Sequence, residues 1–210
     1  LWYQRGGGLF GGLDWPLWAT VPATLLLFDA AIYWQHRLFH TVSLLWRFHR
    51  VHHADTAFDV TTGVRFHPVE IALSMGIKLG LVTLLGPHPG AVLAFELVLS
   101  LGSLYTHTDF AFPSGLDRRL RWLFVTPSMH RIHHSTWRPE TDSNYGFHLS
   151  VWDRLFGSYT PAPRENERRM AIGLNCCRDR RSQTRWALLI NPLGGHARPR
   201  ADAAKEADHA

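Results

Sequence analysis

The distribution of apolar side chains along the chain predicts membrane helices. Leu17 to Trp34 is a run of 18 residues in which Asp29 is the only charge. Residues 69–105 are almost as apolar and are interrupted by Pro87-His88-Pro89-Gly90. Because about 20 helical residues cross a bilayer core of about 30 Å, the first run predicts a membrane helix. The second predicts a hairpin of two helices that turns at the Pro/Gly cluster.

The hairpin arms are slightly short for a full span, and they carry Glu70, Lys78 and Glu96. The hairpin is therefore expected either to enter one leaflet and return or to span the bilayer. The competing interpretation is a soluble bundle in which all three apolar helices are buried.

The same pattern divides the chain into four parts. Residues 1–16 form a glycine-rich lead-in, residues 17–160 the main domain, 161–192 a helical extension and 193–210 a disordered tail. Residues 17–53 read as one long helix or two. Few windows alternate as strands do, so the predicted fold class is all-α: an integral membrane helical bundle.

Charge and cysteine content narrow the function classes. The formal net charge is +5, and arginines lie beside the apolar helices, for example Arg37, Arg47 and Arg50. Basic residues at helix ends mark the cytoplasmic side and attract anionic lipids. Nucleic-acid binding is disfavoured, because the arginines are interleaved with apolar helices instead of forming a solvated patch. The adjacent Cys176 and Cys177 suit neither a disulfide framework nor a zinc knuckle.

Three histidine clusters point to a metal site. They contain eight of the 14 histidines: His36 and His40; His49, His52 and His53; and His130, His133 and His134. Residues i, i+3 and i+4 share one helix face, so each cluster is expected to aim its ring nitrogens at one spot. The first two clusters begin where the apolar run ends, which places the site at the cytosolic membrane surface.

The number and type of ligands limit the metal chemistry. Imidazole suits zinc, copper, iron and nickel, and eight histidines exceed what one ion binds, so two metals are expected. No Glu-x-x-His pair of the ferritin type occurs in the predicted helices. Zinc would give hydrolysis and iron would give oxygen activation. A lipid chain at a membrane surface offers C–H bonds and little to hydrolyse, so oxidation with iron and dioxygen is the working hypothesis.

Further polar residues are candidates around the clusters. His107 lies where the second hairpin arm leaves the membrane and is expected to be a ninth ligand. Asp29 shares a helix face with His36 and is predicted to hold a ligand imidazole by its second N–H. His67 precedes a proline and is expected at a helix N-terminus.

The clusters, together with His67-Pro68-Val69-Glu70 and with 144–159 (Asn-Tyr-Gly through Trp-Asp-Arg-Leu-Phe-Gly), resemble the fatty acid hydroxylase / sterol desaturase superfamily. The resemblance runs from about Asp29 to Tyr159. Members usually carry more hydrophobic sequence before the first cluster, which raises the expectation that the membrane region shown is incomplete. Some members also carry a histidine where Ala111 stands here, so nine ligands are expected.

The resemblance implies a membrane-bound, non-haem di-iron oxidoreductase. It implies two iron ions, dioxygen as co-substrate, a lipid substrate, and an external electron donor such as a reductase, a ferredoxin or a cytochrome b5-like protein. The implied ligands are His36, His40, His49, His52, His53, His107, His130, His133 and His134. Supporting roles beside them are predicted for Asp29, His67, Glu70, Asp109 and Asn144. The rival hypothesis is a membrane protein that handles zinc or iron without oxidising anything.

Overall fold

The computed structural model describes residues 2, 5–13 and 15–194 of the chain. These residues contain helices and no β-strand, which confirms the all-α prediction. The α-helices are α1 (Gly8–Leu13), α2 (Leu17–Thr41), α3 (Ser43–His53), α4 (Pro68–Leu85), α5 (Pro89–Thr106), α6 (Ser114–Leu120), α7 (Pro127–His133), α8 (Arg138–Thr141), α9 (Val151–Leu155) and α10 (Arg185–Ile190). Short 3-10 helices cover Val60–Val64 and Asn191–Leu193.

The predicted helical extension at residues 161–192 contains little helix, and most of the predicted tail lies outside the described residues. Within the predicted helical extension, the chain is irregular from residue 161 to residue 184, and α10 follows. The predicted disordered tail falls outside the described residues from position 195 onward.

Helices α2, α4 and α5 are each long and apolar enough to cross a membrane. The faces of α4 and α5 are widely exposed: Leu79, Leu84, Leu93 and Leu101 are 58%, 71%, 62% and 65% exposed. Such a surface is stable in lipid and not in water, which rules out the soluble bundle. Where the three helices meet, Phe28 and Phe95 pack edge to face with ring centroids 5.1 Å apart.

The long apolar segment and the first two histidine clusters form two helices and not one. Val42 takes an extended conformation between α2 and α3, with φ −88° and ψ 115°. Its N–H still bonds to Leu38, and its carbonyl accepts from Trp46, so one residue ends α2 and begins α3. The bend returns α3 toward α2, which brings their histidines together.

The tip of the α4–α5 hairpin is a glycine turn covered by α1. Gly86 ends α4 with φ +60°, a conformation that favours glycine. A Cβ at this position would also collide with the backbone of Gly7. Pro89 then begins α5 with the His88 side chain as its N-cap.

Asp29 joins α2 to residues 148–152, which run from the loop after α8 into α9. Its carboxylate accepts hydrogen bonds from His148 Nδ1 at 2.6 Å, Trp152 Nε1 at 2.8 Å and the Leu149 N–H at 3.3 Å. The expectation that Asp29 holds a cluster imidazole is therefore wrong. Asp29 shares a helix face with His36, but it lies two turns earlier along α2, about 10 Å away along the helix axis, where residues 148–152 pack.

Replacing Asp29 with alanine is expected to lower the midpoint of thermal unfolding. The change leaves three part-buried donors without their acceptor, at a cost of about 1–3 kcal/mol. The measurement is the unfolding midpoint of the purified protein in detergent. Asp109→Ala is the matched control, because the Asp109 side chain is 85% exposed and its ion pair with Arg131 spans 3.5 Å. This variant should leave the midpoint unchanged. Equal midpoints for the Asp29 variant and the parent would contradict this account.

Candidate metal centre

Nine histidines gather where α2, α3, α5 and α7 meet, and all nine are buried. They are the nine that the sequence singled out. Helices α2 and α3 contribute the first two clusters, and α7 with its C-cap contributes the third. His107 joins them as the C-cap of α5. The nine rings form two adjacent groups.

The first group has five histidines, each offering one ring nitrogen, with all of these atoms within 4.8 Å of one another. Its members are His36, His40, His49, His53 and His133. Nε2 of His53 lies 3.1 Å from Nε2 of His40. The Nε2 atoms of His36 and His49 are buried and have no hydrogen-bond partner among the described residues. Buried nitrogens of this kind fit a bound metal ion, because leaving them unpaired is otherwise costly.

The second group consists of His52, His107, His130 and His134, again with nitrogens within 4.8 Å of one another. Nε2 of His107 lies 3.2 Å from Nε2 of His52, 3.2 Å from that of His134 and 3.1 Å from that of His130. A single N–H group could not donate to all three of these Nε2 atoms at once. The converging lone pairs therefore match the donor set of a second metal ion.

Each HxxHH motif is divided between the two groups, which corrects the expectation that a cluster points at one spot. On α3, His49 and His53 belong to the first group and His52 to the second. On α7 and its C-cap, His133 belongs to the first group, and His130 and His134 belong to the second. Neighbouring residues are about 100° apart around a helix, so adjacent histidines face different sides. One motif thus contributes to both groups.

Four of the nine rings are oriented through their Nδ1 atoms, which leaves Nε2 for a metal. Nδ1 of His49 donates to Oε1 of Glu70 at 2.6 Å. The other three donate to backbone carbonyls: His36 to Tyr145 at 2.8 Å, His133 to Ser143 at 2.7 Å and His107 to Ser103 at 2.7 Å. Such contacts fix the tautomer and raise ligand basicity.

The carbonyls of Ser143 and Tyr145 lie in a loop that is stabilised by the buried side chains of Asn144 and Asp153. Asn144 between them has φ +52°, and its side chain bonds to the backbone of Met129 and Thr160. Asp153 accepts from the N–H groups of Tyr145 at 2.7 Å and Gly146 at 2.8 Å. Burial raises the pKa of Asp153 to about 6, against the opposing effect of these hydrogen bonds. Sequence reasoning assigned no role to Asp153, whose only signal was its place in the Trp-Asp-Arg-Leu-Phe-Gly stretch.

Burial favours the neutral form of five of the cluster histidines. It lowers the pKa of His52, His53, His130 and His134 well below the usual value, and the neighbouring imidazoles lower it further. Burial also lowers the pKa of His107, to about 4. Because metal binding requires the neutral imidazole, these rings are ready to coordinate at neutral pH.

Two predicted supporting residues make polar contacts with groups other than the nine rings. His67 caps α4, where Nδ1 accepts from the Val69 N–H at 3.1 Å and Nε2 donates to the Leu189 carbonyl. This is the helix N-terminal place expected for it. Asp109 is exposed and faces Arg131.

A cavity of about 410 Å³ lies between α2, α4 and α5 and reaches both histidine groups. This volume is in the range of small-molecule sites, roughly 300–1,000 Å³. Its lining includes His36, His49, His52 and His130, and also the Lys78–Glu96 pair. Between them the walls are largely apolar. A ligand in this cavity would be mainly hydrocarbon and would lie against the histidines.

Comparisons with known proteins agree with this geometry. A family model described as fatty acid hydroxylase matches residues 21–158. Ornithine lipid hydroxylase OlsE of Rhizobium tropici is 32% identical over 159 residues, which are 76% of this chain and 47% of that protein. Alkylglycerol monooxygenase of Xenopus tropicalis is 32% identical over 148 residues, 70% of this chain and 31% of that protein.

Cholesterol 25-hydroxylase of Rattus norvegicus is 30% identical over 158 residues, 74% of this chain and 51% of that protein. The chain thus spans about half, or less, of the length of these curated relatives. No solved structure gave a significant match. The resemblance drawn from the histidine clusters and the flanking motifs is confirmed.

Glu70→Gln is expected to weaken metal binding by roughly 10–100-fold, because it removes the carboxylate charge that accepts from His49. The measurement is the metal content of the purified full chain during dialysis against graded chelator concentrations. Glu96→Gln serves as the control, since Glu96 pairs with Lys78 and not with a histidine, and it should retain the parental content. Parental retention of metal by Glu70→Gln would show that the carboxylate does not support the centre.

Proposed function

We propose, because this chain belongs to the fatty acid hydroxylase family, that it is a membrane-bound, non-haem di-iron oxidoreductase that hydroxylates or desaturates a lipid. The observation that carries the proposal is the pair of buried histidine groups at an apolar cavity between membrane helices. The centre and the cavity together suit oxidation of a hydrocarbon chain. The predicted catalytic domain, residues 17–160, contains both.

Iron is the metal proposed for both histidine groups. All-imidazole donor sets accept iron, zinc and copper, and membership of a hydroxylase family favours iron with dioxygen as co-substrate. Bound iron would supply the activation of dioxygen that oxidation of an unactivated C–H bond requires. The electrons would come from an external donor, such as a reductase, a ferredoxin or a cytochrome b5-like protein.

The chain's own side chains hold the centre and shield it. The first group offers five imidazoles and the second offers four. Glu70 and the carbonyls of Ser103, Ser143 and Tyr145 keep four rings in one tautomer and orientation. The largely apolar walls of the cavity would place a hydrocarbon against His36, His49, His52 and His130.

The substrate class is inferred from the cavity and from the relatives. The names of the relatives refer to ornithine lipid, alkylglycerol and cholesterol. These molecules share long apolar parts and differ in their polar groups. We infer a lipid substrate whose hydrocarbon part fills the cavity.

The protein is an integral membrane protein, and we propose that its histidines lie on the cytoplasmic side. The support is the position of basic residues. Arg37, Arg47 and Arg50 lie on α2 and α3 beside the histidines, and positive charge accumulates on cytoplasmic flanks. The site would then lie within reach of a soluble electron donor.

A metal-handling protein without oxidase activity is the weaker candidate. Transport favours polar residues distributed through the membrane depth. Here the imidazoles gather at one end of the apolar helices, and several are held by hydrogen bonds to fixed backbone carbonyls. The relatives named above are lipid hydroxylases and monooxygenases.

His52→Ala and His133→Ala should each abolish lipid oxidation, because each removes a nitrogen from a different histidine group. Lipids from cells with and without the protein, grown under ¹⁸O₂, are compared by mass spectrometry. One added ¹⁸O indicates hydroxylation, loss of two hydrogens indicates desaturation, and loss of an alkyl chain indicates cleavage.

The parent should also bind about two irons per chain. His88→Asn is the matched control, since it changes a histidine at the far end of the hairpin and keeps a capping side chain, and it should retain full activity. Oxidation that persists in both cluster variants would refute the ligand assignment. Exchangeable zinc without oxygen consumption would favour the metal-handling candidate.

A further inference from the structure

An ion pair lies inside the membrane hairpin, away from the histidines. Nζ of Lys78 on α4 donates to Oε2 of Glu96 on α5 at 2.7 Å, and Lys78 is only 8% exposed. Both residues lie near the middle of helices that are long enough to cross the membrane. Charges at this depth are costly, and apolar side chains would join the two helices at least as well. The pair therefore calls for a functional explanation.

The ion pair and the metal centre line the same cavity. On α4, Glu70, Ser74 and Lys78 follow at intervals of four and lie on one helix face. Glu70 holds His49, and the eight residues from Glu70 to Lys78 correspond to about 12 Å along the helix. On α5, Glu96 is likewise separated from His107 by three turns of helix. The cavity thus joins a polar pair to the histidines across an apolar length.

The pair has hydrogen-bonding capacity left over. An ammonium group has three donors, and the carboxylate has a second oxygen. The one hydrogen bond that joins Lys78 to Glu96 uses one donor and one acceptor site. A hydroxyl group can accept from Lys78 and donate to Glu96 at the same time. A carboxylate or phosphate would be attracted by Lys78 but repelled by Glu96, and an amine would meet the reverse.

We propose that Lys78 and Glu96 form a binding subsite for a hydroxyl group on the lipid substrate. This inference rests on the proposed lipid oxidation and adds the chemical class of the substrate. When the hydroxyl is bound at the pair, the apolar part of the lipid lies along Ile71, Met75 and Leu99. A carbon at a set distance from the hydroxyl then lies beside the histidines. The subsite in this way selects hydroxylated lipids and determines which carbon reacts.

Binding of matched lipids tests the subsite without relying on turnover. The full chain, purified in detergent, is titrated with a long-chain primary alcohol and with the alkane of equal length, and its metal content is measured alongside. A sterol and its deoxy counterpart form a second pair, which distinguishes a chain hydroxyl from a ring hydroxyl. In at least one pair, the hydroxylated member should bind about tenfold more tightly. The double variant Lys78→Met, Glu96→Met should reduce that ratio to about one, with metal content and alkane binding unchanged.

The charge-reversed variant Lys78→Glu, Glu96→Lys provides the matched control. It keeps a donor and an acceptor at the same place and should restore most of the preference for the hydroxyl. It also tests the proposal if the double methionine variant fails to fold. A fatty acid of equal length is the third ligand and should bind no better than the alcohol.

Several outcomes would overturn the subsite. One is a hydroxyl preference that survives in the double variant, and another is tighter binding of the fatty acid than of the alcohol. A third is that neither hydroxylated lipid binds better than its hydrocarbon. Failure of the proposed function has a different signature, because oxygen uptake and iron content would be absent while the hydroxyl preference persisted.

Discussion

The structure depends on burying nine imidazole rings in mutual contact. Each ring has two polar nitrogens, and removing them from water is unfavourable unless both find partners. In the rings of His36, His49, His107 and His133, Nδ1 bonds to a carbonyl or to Glu70, and Nε2 turns toward neighbouring rings. A bound metal ion would be a common partner for these Nε2 atoms. This requirement sets the position of α3 and α7, and of the loop that contains Ser143 and Tyr145.

The membrane changes which forces hold the helices together. The outer faces of α4 and α5 remain apolar and exposed, so lipid covers much of the surface that a soluble bundle would bury. The apolar core at Phe28 and Phe95 is correspondingly small. Hydrogen bonds such as those from residues 148–152 to Asp29 then become important, because an unpaired buried polar group is costly.

The cavity connects the histidine centre with the membrane helices α2, α4 and α5. It extends from the histidines, at the N-terminal end of α4 and the C-terminal end of α5, to the Lys78–Glu96 pair near the middle of both helices. Its apolar walls suit a hydrocarbon, and its two polar ends differ in chemistry. One end suits metal-assisted oxidation and the other suits recognition of a neutral polar group. A lipid that fits both would be held in a single register.

The sequence by itself determined the apolar helices, the all-α class, the nine histidines and the family. These features are local or additive: hydrophobic length predicts a membrane helix, and i, i+3, i+4 spacing predicts a shared face. Only the tertiary structure decided which histidines join His52 and which join His53 in the two groups, because that depends on the bend at Val42 and on how the helices cross. It also decided that Asp29 holds His148 and not a cluster ring. The supports at Ser103, Ser143 and Tyr145 could not be predicted, since every residue has a carbonyl and only the folded chain brings a particular one to a particular imidazole.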